Sequence, residues 1–166
     1  MFRLLKERPA DAWEVEVLYD LCFAPGRGAL SSYQLREGVE PVADLCTIAR
    51  DEYDTVAGAI RYWPVRIGEQ EWPALLLGPV AVHPTRQGEG LGALLIVETL
   101  ELARKAGWER VILVGDEPYY RRFGFRRELA GGLDYPRPVN FNRLLARELV
   151  PGAMDGVTGL VHRWAA

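Results

Sequence analysis

A chain of 166 residues can build one full hydrophobic core but not comfortably two, so a single domain over residues 1–166 is expected. Hydrophobic residues make up 49% and charged residues 26%, an ordinary globular balance, and the net charge of −3 excludes the strongly basic field of a nucleic-acid binder. No apolar run reaches the length of a membrane span, and the charged opening "MFRLLKERPADAW" lacks the form of a signal peptide.

In chain order, "FRLLKE" reads as a first strand and "PADAWEVEVLYDLCF" as a helix with proline in its first turn. Its Cys22 and the later Cys46 form no CxxC pair and have no histidine beside them, so reduced thiols in a cytosolic protein are expected, and no metal site. "APGRGAL" is a Pro/Gly loop, and Ser31 or Ser32 is placed to cap a short helix, "SYQLREG". "VADLCTIARD" and "TVAGAIRYWPVRI" are β-rich and close enough for a hairpin. "ALLLGPVAVHP" is a long apolar strand broken at Gly78-Pro79, where a bulge or an unpaired edge is expected because proline has no amide to donate.

The next helix is the clearest. Ala93, Ile96, Val97, Leu100 and Ala103 recur at helical spacing, Glu98, Glu101 and Lys105 share another face, and Gly107 marks the stop. "RVILVG" is then a buried strand, and "DEPYYRRFGF" a short helix running into a strand. The tail holds two more β-like runs, "RLLARELV" and "GLVHRW", whose exposed edges would pair with a second copy, so a homodimer is expected. Hairpins precede one β–α–β unit, which makes an α+β fold with a mixed sheet.

Between the broken strand and the clear helix lie Gly88, Gly90 and Gly92. A helix N-terminus carries unpaired amides and positive dipole charge, and glycines let a phosphate approach them closely. The loop lacks the Gly-Lys-Ser/Thr ending of a P-loop. Gly88-x-Gly90-x-x-Ala93, with Asp116 after the next strand, fits a dinucleotide fingerprint in spacing. Against it, "HPTRQ" separates the strand from the first glycine, and the preceding hairpins leave too little chain for a doubly wound sheet.

A third pattern matches more. "Gln87-Gly88-Glu89-Gly90-Leu91-Gly92" has the form Q/R-x-x-G-x-G/A, and "Tyr120-Arg121-Arg122-Phe123-Gly124-Phe125" has the form Y-x-x-[LF]-G-F. This pair, in this order and spacing, resembles the GNAT family of acetyl-CoA-dependent N-acetyltransferases, and "LLGPVAVHP…GDEPYYRRFGF" looks most like its bacterial YhbS-like branch. The resemblance covers residues 56 to 128 and implies the GNAT acyltransferase fold, a mixed, mostly antiparallel sheet flanked by helices. It implies acetyl transfer to an amine by direct attack in a ternary complex, with acetyl-CoA as cosubstrate and no metal. A non-catalytic acyl-CoA sensor of the same fold and a small NAD(P)-binding protein are the alternatives.

The resemblance further implies that Gln87, Gly88, Gly90, Gly92 and Ala93 hold the coenzyme's pyrophosphate, that Val80 and Val82 pair with its pantetheine arm through main-chain atoms, and that Phe123 belongs to the coenzyme site. It makes Tyr120 the hydrogen-bond donor or acid at the departing sulfur. A thiol near pKa 8.5 and a phenol near 10 make that transfer uphill by roughly 2 kcal/mol, which a helix N-terminus nearby would reduce. Many members carry a glutamate before the loop as base; Leu76, Leu77 and Gly78 stand there instead, leaving Asp116 as the nearest acid by sequence and His83 at the loop surface. Among Arg121, Arg122, Arg126 and Arg127 a contact to a coenzyme phosphate competes with a solvated basic face. Arg27, Tyr33, Arg61 and Trp63 lie where the amine acceptor should bind.

Overall fold

A computed structural model describes residues 1–23 and 31–164. Strands β1 (Arg3–Lys6), β2 (Thr47–Arg50), β3 (Val56–Ile67), β4 (Trp72–Val82), β5 (Arg110–Val114), β6 (Leu133–Asp134), β7 (Leu144–Glu148) and β8 (Gly159–Arg163) alternate with helices α1 (Ala12–Cys22), α2 (Ser31–Gln34), α3 (Leu91–Lys105) and α4 (Glu117–Tyr120). The sheet runs β1-β2-β3-β4-β5-β7, with β8 on the far half of β3 and β6 beside β8. Its neighbours are antiparallel except β4–β5 and β6–β8. That is the mixed, mostly antiparallel arrangement expected.

Most elements fall where local pattern puts them. The N-terminal helix opens on a 3-10 turn at Pro9–Asp11, and β2 and β3 form the hairpin. "VADLCTIARD" becomes a strand only from Thr47, because residues 43–45 turn and the Val42 amide donates to Tyr62 O at 2.9 Å. Ser31 and Ser32 are the first residues of α2 and not its caps; Ser32 Oγ is bonded to Tyr135 Oη at 2.7 Å. The "APGRGAL" loop and Arg27 lie outside the described residues. Both C-terminal runs find partners within the chain: β8 lies between β3 and β6, while β7 pairs with β5 and ends the sheet, its outer edge meeting Arg126 at Ala146.

Side chains alternate across the sheet as the pleat requires. Leu75, Leu77, Val111, Leu113 and Leu145 face α3, while Ala74, Leu76, Ile112, Leu144 and Ala146 face the other side. On that other side Val15, Leu18 and Tyr19 of α1 cover Ile48, Ala59 and Ala81. The buried face of α3 is Leu91, Leu95, Ile96, Thr99, Leu100 and Ala103, rotated from the expected stripe so that Val97 is 54% exposed. The rotation follows from Thr99, whose buried hydroxyl meets Tyr62 Oη at 2.7 Å and Leu95 O at 2.6 Å. Gly58 gives α3 room, since a Cβ there would lie 2.9 Å from a Leu91 methyl.

Ion pairs tie α1 to the sheet. Arg50 bonds Asp11 at 2.9 Å and Glu14 at 3.0 Å, and Arg61 bonds Glu7 and Glu16. The buried Asp11 carboxyl is held down to about 2, chiefly by hydrogen bonds from the Arg8 side chain and backbone, with Arg50 adding to them. Its folded pKa is below the unfolded value near 3.9, so its contribution is full above about pH 4 and is lost as pH falls through about 2. Asp11→Asn should therefore lower Tm at neutral pH by roughly 3–10 °C, as expected for about 1–3 kcal/mol in a domain of this size. The difference from the wild type should shrink between pH 4 and 2. A difference independent of pH in thermal scans would mean that Asp11 acts by packing and not by charge.

Candidate active site

The site begins where two strands part. β4 and β5 pair only at Leu75↔Val111 and Leu76↔Ile112, although both run on. Directly beyond, β4 bulges: Ile60 opposes Val80 and Tyr62 opposes Leu77, so Gly78 and Pro79 together face Arg61. Gly78 stands at φ 133°, a backbone that favours glycine. The carbonyls freed by the bulge are taken by side chains, Trp63 Nε1 donating to Gly78 O and Tyr19 Oη to Pro79 O, both at 3.0 Å.

Past the bulge the antiparallel phase decides which groups face the gap. The His83 amide donates to Ala57 O at 2.7 Å, and Ala59 opposes Ala81, so residues 81 and 83 bond to β3. Alternation then turns the main-chain polar groups of Val80 and Val82 away from β3, into the cleft that β5 has left. The Val82 carbonyl already accepts from Cys22 Sγ and Gln87 Nε2, both at 3.3 Å, leaving its amide for a ligand.

At one end of the cleft is the glycine loop. A 3-10 turn over Pro84–Arg86 carries the chain off β4, and His83 Nδ1 caps it by accepting from the Thr85 amide at 3.2 Å. Gly88 (φ 87°) and Gly90 (φ 80°) turn the backbone into α3, with Gly90 as its left-handed N-cap. The first intrahelical bond is from the Leu94 amide to Gly90 O, so the amides of Leu91, Gly92 and Ala93 have no partner within the helix. They border a hollow of about 470 Å³ lined by Val82, Gln87, Gly88, Gly90, Gly92 and Ala93, with Tyr119 and Arg122 on its far wall. Added Cβ atoms at Gly88 or Gly90 would meet nothing within 4 Å, which leaves space beside the amides for an anion. Arg86 there is already bonded to Asp51, Glu52 and Glu89. Arg122 lies over the Tyr119 ring at 4.4 Å and, among the described residues, pairs with no carboxylate.

At the other end is a cavity of about 430 Å³ between β4, β5, α2 and the 138–143 segment. Leu77 to Val80 and Leu113 form its floor, and Tyr120 lies on its wall. Tyr120 is wedged against Gly115, where a Cβ would fall 2.6 Å from the ring. Burial, with Tyr119 adding to it and Arg143 opposing, pushes the phenol up to about 12. The expectation that a helix N-terminus would ease its proton transfer is corrected here: the apolar seat widens the gap to a thiol to roughly 3.5 pKa units, about 5 kcal/mol.

Tyr120 and Val80 thus line the cavity, and Val82, Gln87, Gly88, Gly90, Gly92 and Ala93 line the hollow at the glycine loop. Phe123 lines neither. It is 6% exposed and packs under Tyr119 and Tyr120 at ring distances of 5.6 and 6.4 Å, where it supports the tyrosines. Of the expected acceptor residues, Tyr33 lines the cavity, Trp63 sits behind it and Arg61 is consumed by Glu7 and Glu16. Asp116 is exposed at the N-cap of α4 and lines neither hollow. Arg36 and Arg143 were not anticipated, because both are far in sequence from either motif, nor was Gly115, whose contact with the Tyr120 ring five residues on does not show in spacing.

Two observations count against a dinucleotide. The 3-10 turn separates strand from glycines, and the strand joined to this helix is otherwise in an antiparallel sheet with no doubly wound half. Comparison with known proteins agrees. The model of the "Acetyltransferase (GNAT) domain" family matches residues 43–127. The Escherichia coli (strain K12) protein described as "Uncharacterized N-acetyltransferase YhbS" is 29% identical over 156 residues, 94% of this chain and 92% of that one. The crystal structure of YhbS from Escherichia coli in complex with CoA superposes with TM-score 0.81 at 28% identity, covering 98% of this chain and 88% of that one. A GNAT family acetyltransferase from Brucella melitensis in complex with acetyl-CoA gives TM-score 0.73 at 31% identity, with 99% and 97% covered. The parted strands, the free helix amides and these matches have one reading in common: the chain belongs to the GNAT family of acetyl-CoA-dependent N-acetyltransferases.

Proposed function

We propose that the chain acetylates a small primary amine by direct attack of the amine on acetyl-CoA within a ternary complex, in the cytosol. The observation that carries this is the cleft itself. Unpartnered helix amides lie at one end, an enclosed cavity with a tyrosine at the other, and strand polar groups turned inward join them. Two free cysteines, Cys22 and Cys46, suit a reducing compartment.

In this reading the Leu91, Gly92 and Ala93 amides, with Gln87 and the glycines, hold the pyrophosphate, and Arg122 adds positive charge beside it. Val80 and Val82 hold the pantetheine arm, and the Val82 amide stabilises the oxyanion that develops at the carbonyl. Acetyl-CoA supplies an activated acyl group and a thiolate leaving group. Tyr120, protonated through the working pH range, donates a hydrogen bond to that sulfur as charge builds on it. Among the described residues neither carboxylate nor imidazole lines the acceptor cavity, so the ammonium proton leaves to water. Arg36 and Arg143 there disfavour a second cation and so lower the cost of neutralising the amine, about 4.6 kcal/mol for a lysine-like group at pH 7.

Three outcomes test this. Gly90→Asp should weaken CoA binding at least tenfold more than Gly90→Asn does, since both side chains adopt the left-handed conformation and only one is charged. Equal calorimetric affinities would place the pyrophosphate elsewhere. Tyr120→Phe should lower turnover at least tenfold with acetyl-CoA affinity nearly unchanged, and Tyr119→Phe should be mild. With the phenol near 12, the wild-type rate should show no loss from Tyr120 ionisation below about pH 11. Gly115→Ala, by displacing the Tyr120 ring, should reproduce most of that defect and add little in the Tyr120→Phe background. Full turnover in both variants with a reactive amine would reduce Tyr120 to a packing aromatic and favour a protein that only binds acyl-CoA.

A further inference from the structure

The charge balance of the acceptor cavity is lopsided. Two arginines, Arg36 and Arg143, line it together with the hydroxyls of Ser31, Ser32 and Tyr33, and among the described residues no acidic side chain does. Four other enclosed arginines of this chain have their charge or their donors met. Arg50 meets Asp11 and Glu14, Arg61 meets Glu7 and Glu16, and Arg86 meets Asp51, Glu52 and Glu89. Arg110 fills its guanidinium with the carbonyls of Ala153 and Pro73.

Arg36 differs from these four. Among the described residues no carboxylate pairs with it, and its Nε is enclosed without a hydrogen-bond partner. Aromatic faces hold the guanidinium instead, the Tyr33 ring at 4.1 Å and the Trp63 ring at 5.5 Å. Stacking fixes the plane while leaving in-plane N–H groups for a ligand. Its Nη2 lies 3.7 Å from where a Cβ of Gly78 would be, so the charge sits over the bulge at which β4 and β5 part. Burial pushes this guanidinium's pKa downward, the mark of a cation short of solvent and of a counter-ion. A desolvated cation of this kind is costly unless something anionic completes it.

We infer that the acceptor is a small amine that also carries an oxyanion, a carboxylate or a phosphate, which Arg36 grips in the cavity beside Tyr120. This rests on the acyltransferase reading and adds the substrate class to it. A cavity of about 430 Å³ suits a compact ligand. The planar fork fits either oxyanion through paired N–H donors.

The test uses matched acceptors: β-alanine against propylamine, amino acids against their decarboxylated amines, and phosphoethanolamine against ethanolamine. Calorimetry on the CoA-loaded protein reads binding without turnover, and thiol release from acetyl-CoA reads turnover. We expect members of the carboxylate or the phosphate series to bind at least tenfold tighter than their neutral counterparts; the series that responds identifies the oxyanion. Arg36→Met should erase that preference and leave acetyl-CoA affinity within about twofold, which also certifies its fold, and Arg36→Lys should keep part of it. The inference is overturned if neutral amines bind as well as anionic ones, if Arg36→Met keeps the preference, or if no member binds. The two readings separate cleanly. Anion-dependent binding without thiol release sinks acetyl transfer and leaves the anion site standing; thiol release with no preference does the reverse.

Discussion

The parting of β4 from β5 governs this molecule. Two strands that pair at Leu75 and Leu76 would go on pairing unless something prevented it, because each unmade ladder bond costs about 1–3 kcal/mol when buried. The bulge at Gly78 and Pro79 prevents it, and Trp63 and Tyr19 absorb the two carbonyls it exposes. The remaining polar groups, on Val80 and Val82, are left facing a gap that an extended amide-bearing chain can fill. A binding site is built here by withholding a strand.

Placement of the helices follows from that opening. α3 enters over Gly58 and aims its amides along the cleft, while α1 is bound to the other face by Arg50 and Arg61 and sends Tyr19 to the bulge. Arg50, Arg61 and Arg86 are paired with carboxylates, and Arg36, beside the bulge, meets none among the described residues. Similar side chains therefore carry opposite meanings, and only their partners tell them apart.

Features written in contiguous residues were legible in the sequence. The glycine loop and the break at Gly78-Pro79 depend on neighbours within a few positions, and each lines one of the two hollows, with Tyr120 beside the break and Tyr119 beside the loop. Features that depend on distant partners were not. Arg61 looked available because Glu7 and Glu16 lie 54 and 45 positions away. Val97 looked buried because the hydroxyl pairing of Thr99 with Tyr62, 37 positions apart, is invisible to a hydrophobic count. Arg36 gave no signal, since an unpaired cation is recognised only once every possible partner has been placed. Phe123 matched its motif position yet serves packing, as a motif records which residue stands there and not which atoms it touches.

The Thr99–Tyr62 contact reaches further than the core that encloses it. It fixes the azimuth of α3: an α-helix displaced by one residue along its contact turns about 100° and slides about 1.5 Å. Thr99 lies eight residues beyond Leu91, just over two turns or about 12 Å along the axis. The bearing of the unpaired amides at the mouth of the helix is therefore set by a dowel near its middle. Two hydroxyls that never meet a ligand index the compass direction in which the helix presents its charge.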